Sequence, residues 1–573
     1  MIKGYATDLN VHVPERRKHS RGDFDLTAKV SSKWRDNLPL ANAGMAGKEI
    51  YAKLKESNQL IFSGKERLNF LEATIPAIQM VLQAMDQSFV GKSFPLPDKA
   101  SRVGQSSVGF VLELALSYQI AVIEYTGSDG SVSILHKKKV SLAAHRCAYF
   151  LGEALVRSFQ LYQPIDEKIW YVFHRLAQYT ENRKIARKPI QSPDEKSSPG
   201  LISAIYQSLL CLSAAHPYRM RQIDIRPIYD VLREQGIEWN RLSLDEQDVG
   251  SFVVDPDIDS GPLHFKGRDL VGVAAWGLDL SAAIASLEEL LGKTKGRELM
   301  PPGAESLERA LVAWNGVASR TFKRLTGEYQ LNAVFGLHAT HYEICDEMDF
   351  DDFLSKTGMT VGLEVARGDD SSWASSAHNV FKAEIIKAAV LDQSLGGYRL
   401  SFTAESMPKI QIGELVSLSQ SGTSSGSRDW VVGVVRWMNV GVDSDVECGV
   451  QLLTRHCEAV AFKVDGVSAS AAGMQRGILV SEHDELPRII LPAHLGKPGQ
   501  VVTITNRSIA LEMGIIPEDL SVRLGQVVEL TASFAMLDFE EIDNTEYVTQ
   551  SSAGAVKIAV EDEPDLDFDL DDF

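Results

Sequence analysis

The spacing of apolar positions divides the chain into two textures. From about residue 46 to 310, hydrophobic residues recur three and four apart, the period of amphipathic helices. The clearest stripe is Leu68, Phe70, Leu71, Ile75, Ile78, Val81 and Leu82. It follows Ser63-Gly64-Lys65-Glu66, a capping-box pattern that marks a helix start. Similar stripes predict helices within Val108–Ile123, Leu142–Leu161, Trp170–Tyr179, Leu201–Ala214, Ile225–Leu232, Ala282–Leu291 and Leu307–Phe322. Breakers separate them: Gly127-Ser128-Asp129-Gly130, Pro189 to Pro199, and Pro301-Pro302-Gly303. No fixed period of about 34 or 40 residues emerges, so the region is not a named repeat array. Ile237 to Asp269 reads as irregular and acidic, and residues 1–45 as a loosely held leader.

Beyond about residue 328 the runs shorten and alternate. Val334–Tyr342, Glu384–Leu391, Tyr398–Phe402, Leu415–Leu418, Trp430–Trp437 and Cys448–Leu453 read as strands of a small antiparallel barrel spanning 318–456. A stretch rich in Asp and Ser near 346–376 reads as an insertion. A second strand-rich block covers 475–540, with runs at Arg488–Leu491, Val501–Thr505, Ile509–Met513 and Val527–Thr531. The expected fold is therefore multidomain α + β: an all-α domain over 46–317 followed by two β-barrels. The remainder, 541–573, reads as a disordered acidic tail, because its alternating carboxylates repel one another and oppose a core. Phe568 and Phe573 make it a candidate docking peptide for a basic groove.

Charge narrows the partner classes. The 573 residues carry 58 basic and 77 acidic side chains, a net charge of −19. Eight of those carboxylates lie in Glu561–Phe573, so the other 560 residues carry −19 + 8 = −11. This disfavours general binding to nucleic acid, while local basic patches remain allowed. Five cysteines without a CxxC pair argue against a disulfide framework or a structural zinc site, and suggest free thiols in a reducing cytoplasm. The first twenty residues lack the apolar core of a secretory signal. No apolar run reaches about 18 uninterrupted residues, so no membrane span is expected.

One constellation carries ligand chemistry. Leu391-Asp392-Gln393-Ser394-Leu395-Gly396-Gly397 joins two predicted strands with D-x-S-x-x-G. Downstream come Gly413-Glu414-Leu415-Val416-Ser417-Leu418, then Val434-Val435-Arg436-Trp437, then Cys448-Gly449-Val450-Gln451-Leu452. In this order the segments resemble the PilZ domain over roughly residues 318–455. The resemblance implies a bacterial receptor for cyclic di-GMP, in control of motility, type IV pili, surface attachment or exopolysaccharide.

That family also carries R-x-x-x-R just before the first strand, and Arg320-Thr321-Phe322-Lys323-Arg324 occupies the place. Two further copies, Arg17–Arg21 and Arg183–Arg187, lie far upstream. The 68 residues from Arg324 to Asp392 exceed the family spacing, and the insertion accounts for the excess. The expected ligand contacts are Arg320, Arg324, Asp392, Ser394 and Gly397. Arginine can fork onto phosphate oxygens or a guanine edge and can stack on a purine. Asp392 can accept from guanine N–H groups, Ser394 offers a hydroxyl, and Gly397 permits close backbone approach. The plainer alternatives are a strand-ending turn for Asp392 and Ser394 and a solvated helix-end pair for the arginines.

Other motifs fall short. His338, His341 and Cys345 are read as packing residues, because on a strand positions three apart point to opposite faces. Gly292-Lys293-Thr294 lacks the glycine of a phosphate loop at position 287, which is Leu. Gly422-Thr423-Ser424-Ser425-Gly426 matches G-x-S-x-G but lacks the flanks of a nucleophile elbow. No enzyme, metal or cofactor is therefore expected, and the helical domain or the tail is left as the surface for a protein partner. In the second block, Asn506-Arg507-Ser508 and Gly525-Gln526-Val527-Val528-Glu529-Leu530 echo the first. Position 511 is Leu where the signature wants Gly, which suggests a degenerate, ligand-silent second barrel. The competing readings are a PilZ-like interaction scaffold without ligand and an enzyme hidden in the helical region.

Overall fold

The computed structural model describes residues 9, 13–126, 130–191, 200–234, 241–244, 251–266, 271–294, 304–315, 323–356, 383–403, 409–420, 429–441, 445–464, 473–480, 487–505 and 519–542. The chain forms two compact units, one of Met1–Phe335, Ile385–Thr423 and Gly433–Leu453, the other of Gly336–Glu384, Ser424–Val432 and Thr454–Phe573.

The first unit begins with helices where the three-and-four spacing puts them. These are α1 (Ala28–Asp36), α2 (Ala43–Asn58), α3 (Gly64–Phe89), α4 (Asp98–Tyr125), α5 (Lys137–Gln160), α6 (Ile169–Asn182), α7 (Ile202–Ala214), α8 (Gln222–Glu234), α9 (Ser281–Thr294) and α10 (Ala304–Trp314). The capping box forms at α3: Ser63 Oγ accepts from Glu66 N at 3.2 Å, and Glu66 Oε2 accepts from Ser63 N at 3.1 Å. Helix α4 is long and apolar enough to cross a membrane, but two-thirds of its apolar window is buried inside the fold. It packs between α3 and α5, with Val111, Leu114, Tyr118 and Ile120 fully buried, so its apolarity serves a protein core.

Two expectations are corrected here. The leader is not loose throughout: β1 (Arg17–Lys18) pairs in parallel with β2 (Leu60–Ile61), α1 follows, and Leu9, Phe24, Leu26 and Leu38 are buried. Isolated apolar residues that each dock separately leave no periodic trace. The segment read as irregular contributes to a four-stranded sheet of β3 (Arg241–Leu242), β4 (Phe252–Val254), β5 (Leu263–His264) and β6 (Trp276–Leu278), in the order β3-β6-β4-β5. Strands of two or three residues are too short to display alternation.

Two core histidines make stability pH-dependent. His174 Nδ1 contacts Tyr206 Oη at 2.7 Å and Nε2 faces the Ser260 carbonyl at 3.0 Å, while burial lowers its pKa to about 4. Burial, reinforced by Arg146 and Arg233, lowers His145 to about 3. Both stay neutral when folded, so their contribution is complete above the unfolded pKa of about 6.5 and is lost as pH falls below it. At pH 5.5 the loss is about 1.4 kcal/mol for each. Urea melts followed by far-UV dichroism at pH 7.5 and 5.5 should show it, and His174→Gln should shrink the difference by about 1.4 kcal/mol.

The first barrel belongs to the same unit. Its strands are β7 (Leu325–Thr326), β8 (Gln330–Phe335), β9 (Ile386–Ser394), β10 (Gly397–Phe402), β11 (Leu415–Gln420), β12 (Val431–Val440) and β13 (Val446–Thr454). The ring runs β8-β9-β10-β13-β12-β11 and closes on β8, with β7 paired to β9. Leu337–Tyr342, expected to prolong the first strand, is instead helix α11 (Leu337–Ile344). Gly336, at φ +88°, ends the strand and caps the helix. The insertion does not open the barrel, because Ala333 of β8 lies opposite Ile386 of β9.

The second unit holds α11 and α12 (Phe350–Lys356), packed on a second closed barrel of β14 (Cys457–Val464), β15 (Gln475–Val480), β16 (Arg488–Pro492), β17 (Val501–Thr505), β18 (Asp519–Leu530) and β19 (Phe534–Glu541). Phe462, Ile489, Leu491, Val502, Ile504 and Leu537 fill its interior. Its order is β14-β15-β16-β19-β18-β17. Numbered within each barrel, both read 1-2-3-6-5-4. This shared topology supports a repeated barrel and corrects the motif alignment. Asp392 ends the second strand of its barrel, whereas Asn506 follows the fourth strand of the other. Gly413 leads into the fourth strand, whereas Gly525 sits within the fifth. Asn506-Arg507-Ser508, Ile509–Met513 and the tail beyond 542 lie outside the described residues. The second barrel starts at Cys457, earlier than the expected 475, because β14 follows β13 after only two residues.

Candidate functional site

The site forms at the β9–β10 corner. Ser394 pairs with Gly397 and Arg399 with Asp392, leaving Leu395 and Gly396 as a two-residue turn. Leu452 N donates to the Gly396 carbonyl at 3.0 Å, fixing the turn to β13. Ser394 Oγ donates to the Gly397 carbonyl at 3.4 Å. A Cβ at Gly397 would run into the Val450 carbonyl, so only glycine lets β10 lie this close to β13.

Arg324 reaches this corner despite the 68-residue gap. Leu325 pairs with Gln393 and Thr326 with Asp392, so β7 carries the preceding arginine to the end of β9. Arg324 Nη1 donates to Asp392 Oδ2 at 3.1 Å. Arg399 stands 3.8 Å from the same carboxylate and pairs with Glu447 at 2.6 Å, which holds its guanidinium charged. The Tyr329 hydroxyl donates to Gln393 Oε1. Arg320 lies outside the described residues.

Arg324, Asp392, Ser394 and Gly397 border a cleft of about 180 Å³ that continues across β13 to Arg436 and Trp437 of β12. The Trp437 indole covers Gly449, where a Cβ would collide with the ring. Arg436 Nε donates to Gln451 Oε1 at 2.7 Å. Of the expected contacts, Arg324, Asp392, Ser394 and Gly397 converge here. The sequence pattern places Arg436 and Trp437 only within the barrel's cadence.

The competing motifs are used otherwise. Arg17 forks onto Asp23 at 2.6 and 2.7 Å in the helical region. His338 and His341 lie on helix α11 and Cys345 is its C-cap, which corrects the strand argument applied to them. His341 Nε2 lies 3.2 Å from the Val460 carbonyl, and burial lowers its pKa to about 4. Gly292-Lys293-Thr294 ends helix α9. Gly422 to Gly426 lie outside the described residues. A cleft of about 330 Å³ in the helical region contains Trp170, His216 and Asp259. Asp259 Oδ1 accepts from Tyr171 N at 2.9 Å at the start of α6, and the His216 ring packs near Phe252 and His264.

The closed six-stranded barrel with this corner is a PilZ domain. The model of the middle PilZ domain of the cyclic-di-GMP receptor FimW matches residues 251–384 and 366–459, and that of the same receptor's N-terminal domain matches residues 29–238. The cyclic-di-GMP receptor FimW of Pseudomonas aeruginosa is 23% identical over 554 residues, 88% of either chain. The crystal structure of the Borreliella burgdorferi PlzA protein in complex with c-di-GMP matches 29% of this chain and 80% of that one, at 7% identity and a TM-score of 0.10.

Proposed function

We propose that this chain is a cytoplasmic cyclic di-GMP receptor that binds its ligand at the β9–β10 corner and acts by binding rather than catalysis. The observation that carries the reading is the Arg324–Asp392 pair at the lip of a cleft bordered by Ser394 and Gly397. An arginine and a carboxylate held together supply complementary contacts, one to phosphate or a purine face, the other to guanine N–H groups. Arg320, four residues upstream, is proposed to wrap the ligand from the same segment. The similarity to a cyclic-di-GMP receptor along most of both chains supports the assignment. Calorimetric titration of the intact chain tests it, since absence of heat with cyclic di-GMP would favour the scaffold reading.

The response is proposed to pass to the helical domain, which presents a protein-partner surface in control of type IV pili, motility or attachment. A physical route runs along β12. Arg436 and Trp437 border the cleft, and Val440, three residues on, donates from N–H to the Tyr162 carbonyl at 2.8 Å, just beyond α5. Phe94 and Ile410 exchange backbone hydrogen bonds of 3.3 and 2.6 Å, and the Phe94 and Tyr162 rings lie 4.8 Å apart. Cyclic di-GMP is expected to slow amide exchange at Val440 and Ile410 as well as at the corner. Protection confined to the corner would break the proposed route.

A further inference from the structure

We infer that Arg436 is a further ligand-binding arginine, contacting the half of cyclic di-GMP farther from Asp392; this rests on the reading of the corner as the ligand site. The argument is geometric. Arg324 stands at the β7–β9 end of the cleft, and Arg436 projects from β12 at the other. Between them the strand order is β9-β10-β13-β12, three inter-strand steps and so about 14 Å at the spacing of paired strands. A site that broad faces both halves of a two-fold ligand with a guanine and a phosphate in each. Contacts at Asp392 and Ser394 alone would address one half.

The local packing presents Arg436 for that role. Its Nε–H is held by Gln451 Oε1 at 2.7 Å, which orients the guanidinium plane at the rim. The next residue, Trp437, lies so close over Gly449 that a Cβ there would collide with its indole, so β12 is seated against β13 at this point. An arginine held by a neighbour at the edge of a cleft loses less conformational freedom on binding than an unsupported one. Its planar fork suits phosphate oxygens or the O6/N7 edge of guanine, geometries that lysine matches only as a point charge. The plain alternative is a surface arginine that solvates an exposed strand.

The test is titration of intact Arg436→Ala, Arg436→Lys and Arg324→Ala chains with cyclic di-GMP, beside thermal melts of each. Arg436→Ala is expected to weaken binding about 10- to 100-fold, the worth of a charge-assisted contact, with an unchanged melting temperature. Arg436→Lys should fall between the alanine variant and the unaltered chain. Should the alanine variant melt early, Arg436→Gln, which keeps length and polarity, replaces it in the comparison. Affinity within twofold of the unaltered chain in the Arg436 variants, with Arg324→Ala impaired, would overturn this inference and leave the corner site standing. Absence of binding by the unaltered chain would overturn both.

Discussion

Arg324→Ala is expected to weaken cyclic di-GMP binding at least about 100-fold, which corresponds to roughly 3 kcal/mol. The side chain is 43% exposed and its ion pair with Asp392 is partly solvated. Its removal should therefore cost the fold little, since surface substitutions usually fall within about 0.5 kcal/mol. In the complex the same group faces phosphate or purine, where each charge-assisted hydrogen bond contributes about 1.5–3 kcal/mol. The unliganded Asp392 pairing already spends part of that interaction, so the net loss should lie near the lower bound of two such contacts. Arg324→Lys should also bind weakly, because a point charge cannot fork or stack. Calorimetry on both variants, with melts to verify folding, checks this. Undiminished affinity in Arg324→Ala would mean that another arginine segment serves the ligand.

The largest stability effect is expected at Glu153. It is buried on α5 and accepts from Arg226 of α8 at 2.5 and 2.9 Å and from Arg157. Arg157 pairs in turn with Asp86 of α3 at 2.8 Å. Burial alone would raise the Glu153 pKa, but the two arginines outweigh it and hold the carboxyl well below its usual range. The depressed value means that the stabilisation is present above the unfolded pKa, about 4.3, and is lost as pH falls below it. Removing this carboxylate takes the ion-pair partner from Arg226 and leaves Arg157 with Asp86 alone. Glu153→Gln should therefore destabilise the helical region by about 3–5 kcal/mol at pH 7. Urea unfolding followed by far-UV dichroism measures it, and a change under about 1 kcal/mol would mean that these three helices are held by apolar packing alone.

Legibility in the sequence followed the length of each pattern. The start of α3, from its stripe and capping box, and the strand Val501–Thr505 could be read nearly to the residue, while the last turns of α3 beyond Leu82 could not. The four-stranded sheet and the docking of Phe24 and Leu26 could not, since a two-residue strand or a single buried side chain has no period. Leu337–Tyr342 misled because its apolar positions continue a true strand, and only Gly336 marks the break. At the site, the Asp392–Gly397 corner is local and was readable from its turn chemistry. Arg324 was readable by its position upstream of the barrel. Arg436 was not: it lies 44 residues from Asp392 in sequence, and only the order β9-β10-β13-β12 brings it to the same cleft. The repeated barrel was likewise sensed from short motifs but aligned on the wrong strands, because G-x-x-V-x-L recurs wherever a turn precedes a half-buried strand.

The central claim is most directly tested by titrating the intact, unaltered chain with cyclic di-GMP in a calorimeter, with GMP as the control. The account predicts a saturable heat with cyclic di-GMP that GMP neither produces nor competes away. A flat trace with cyclic di-GMP, from protein that melts cooperatively, would contradict it.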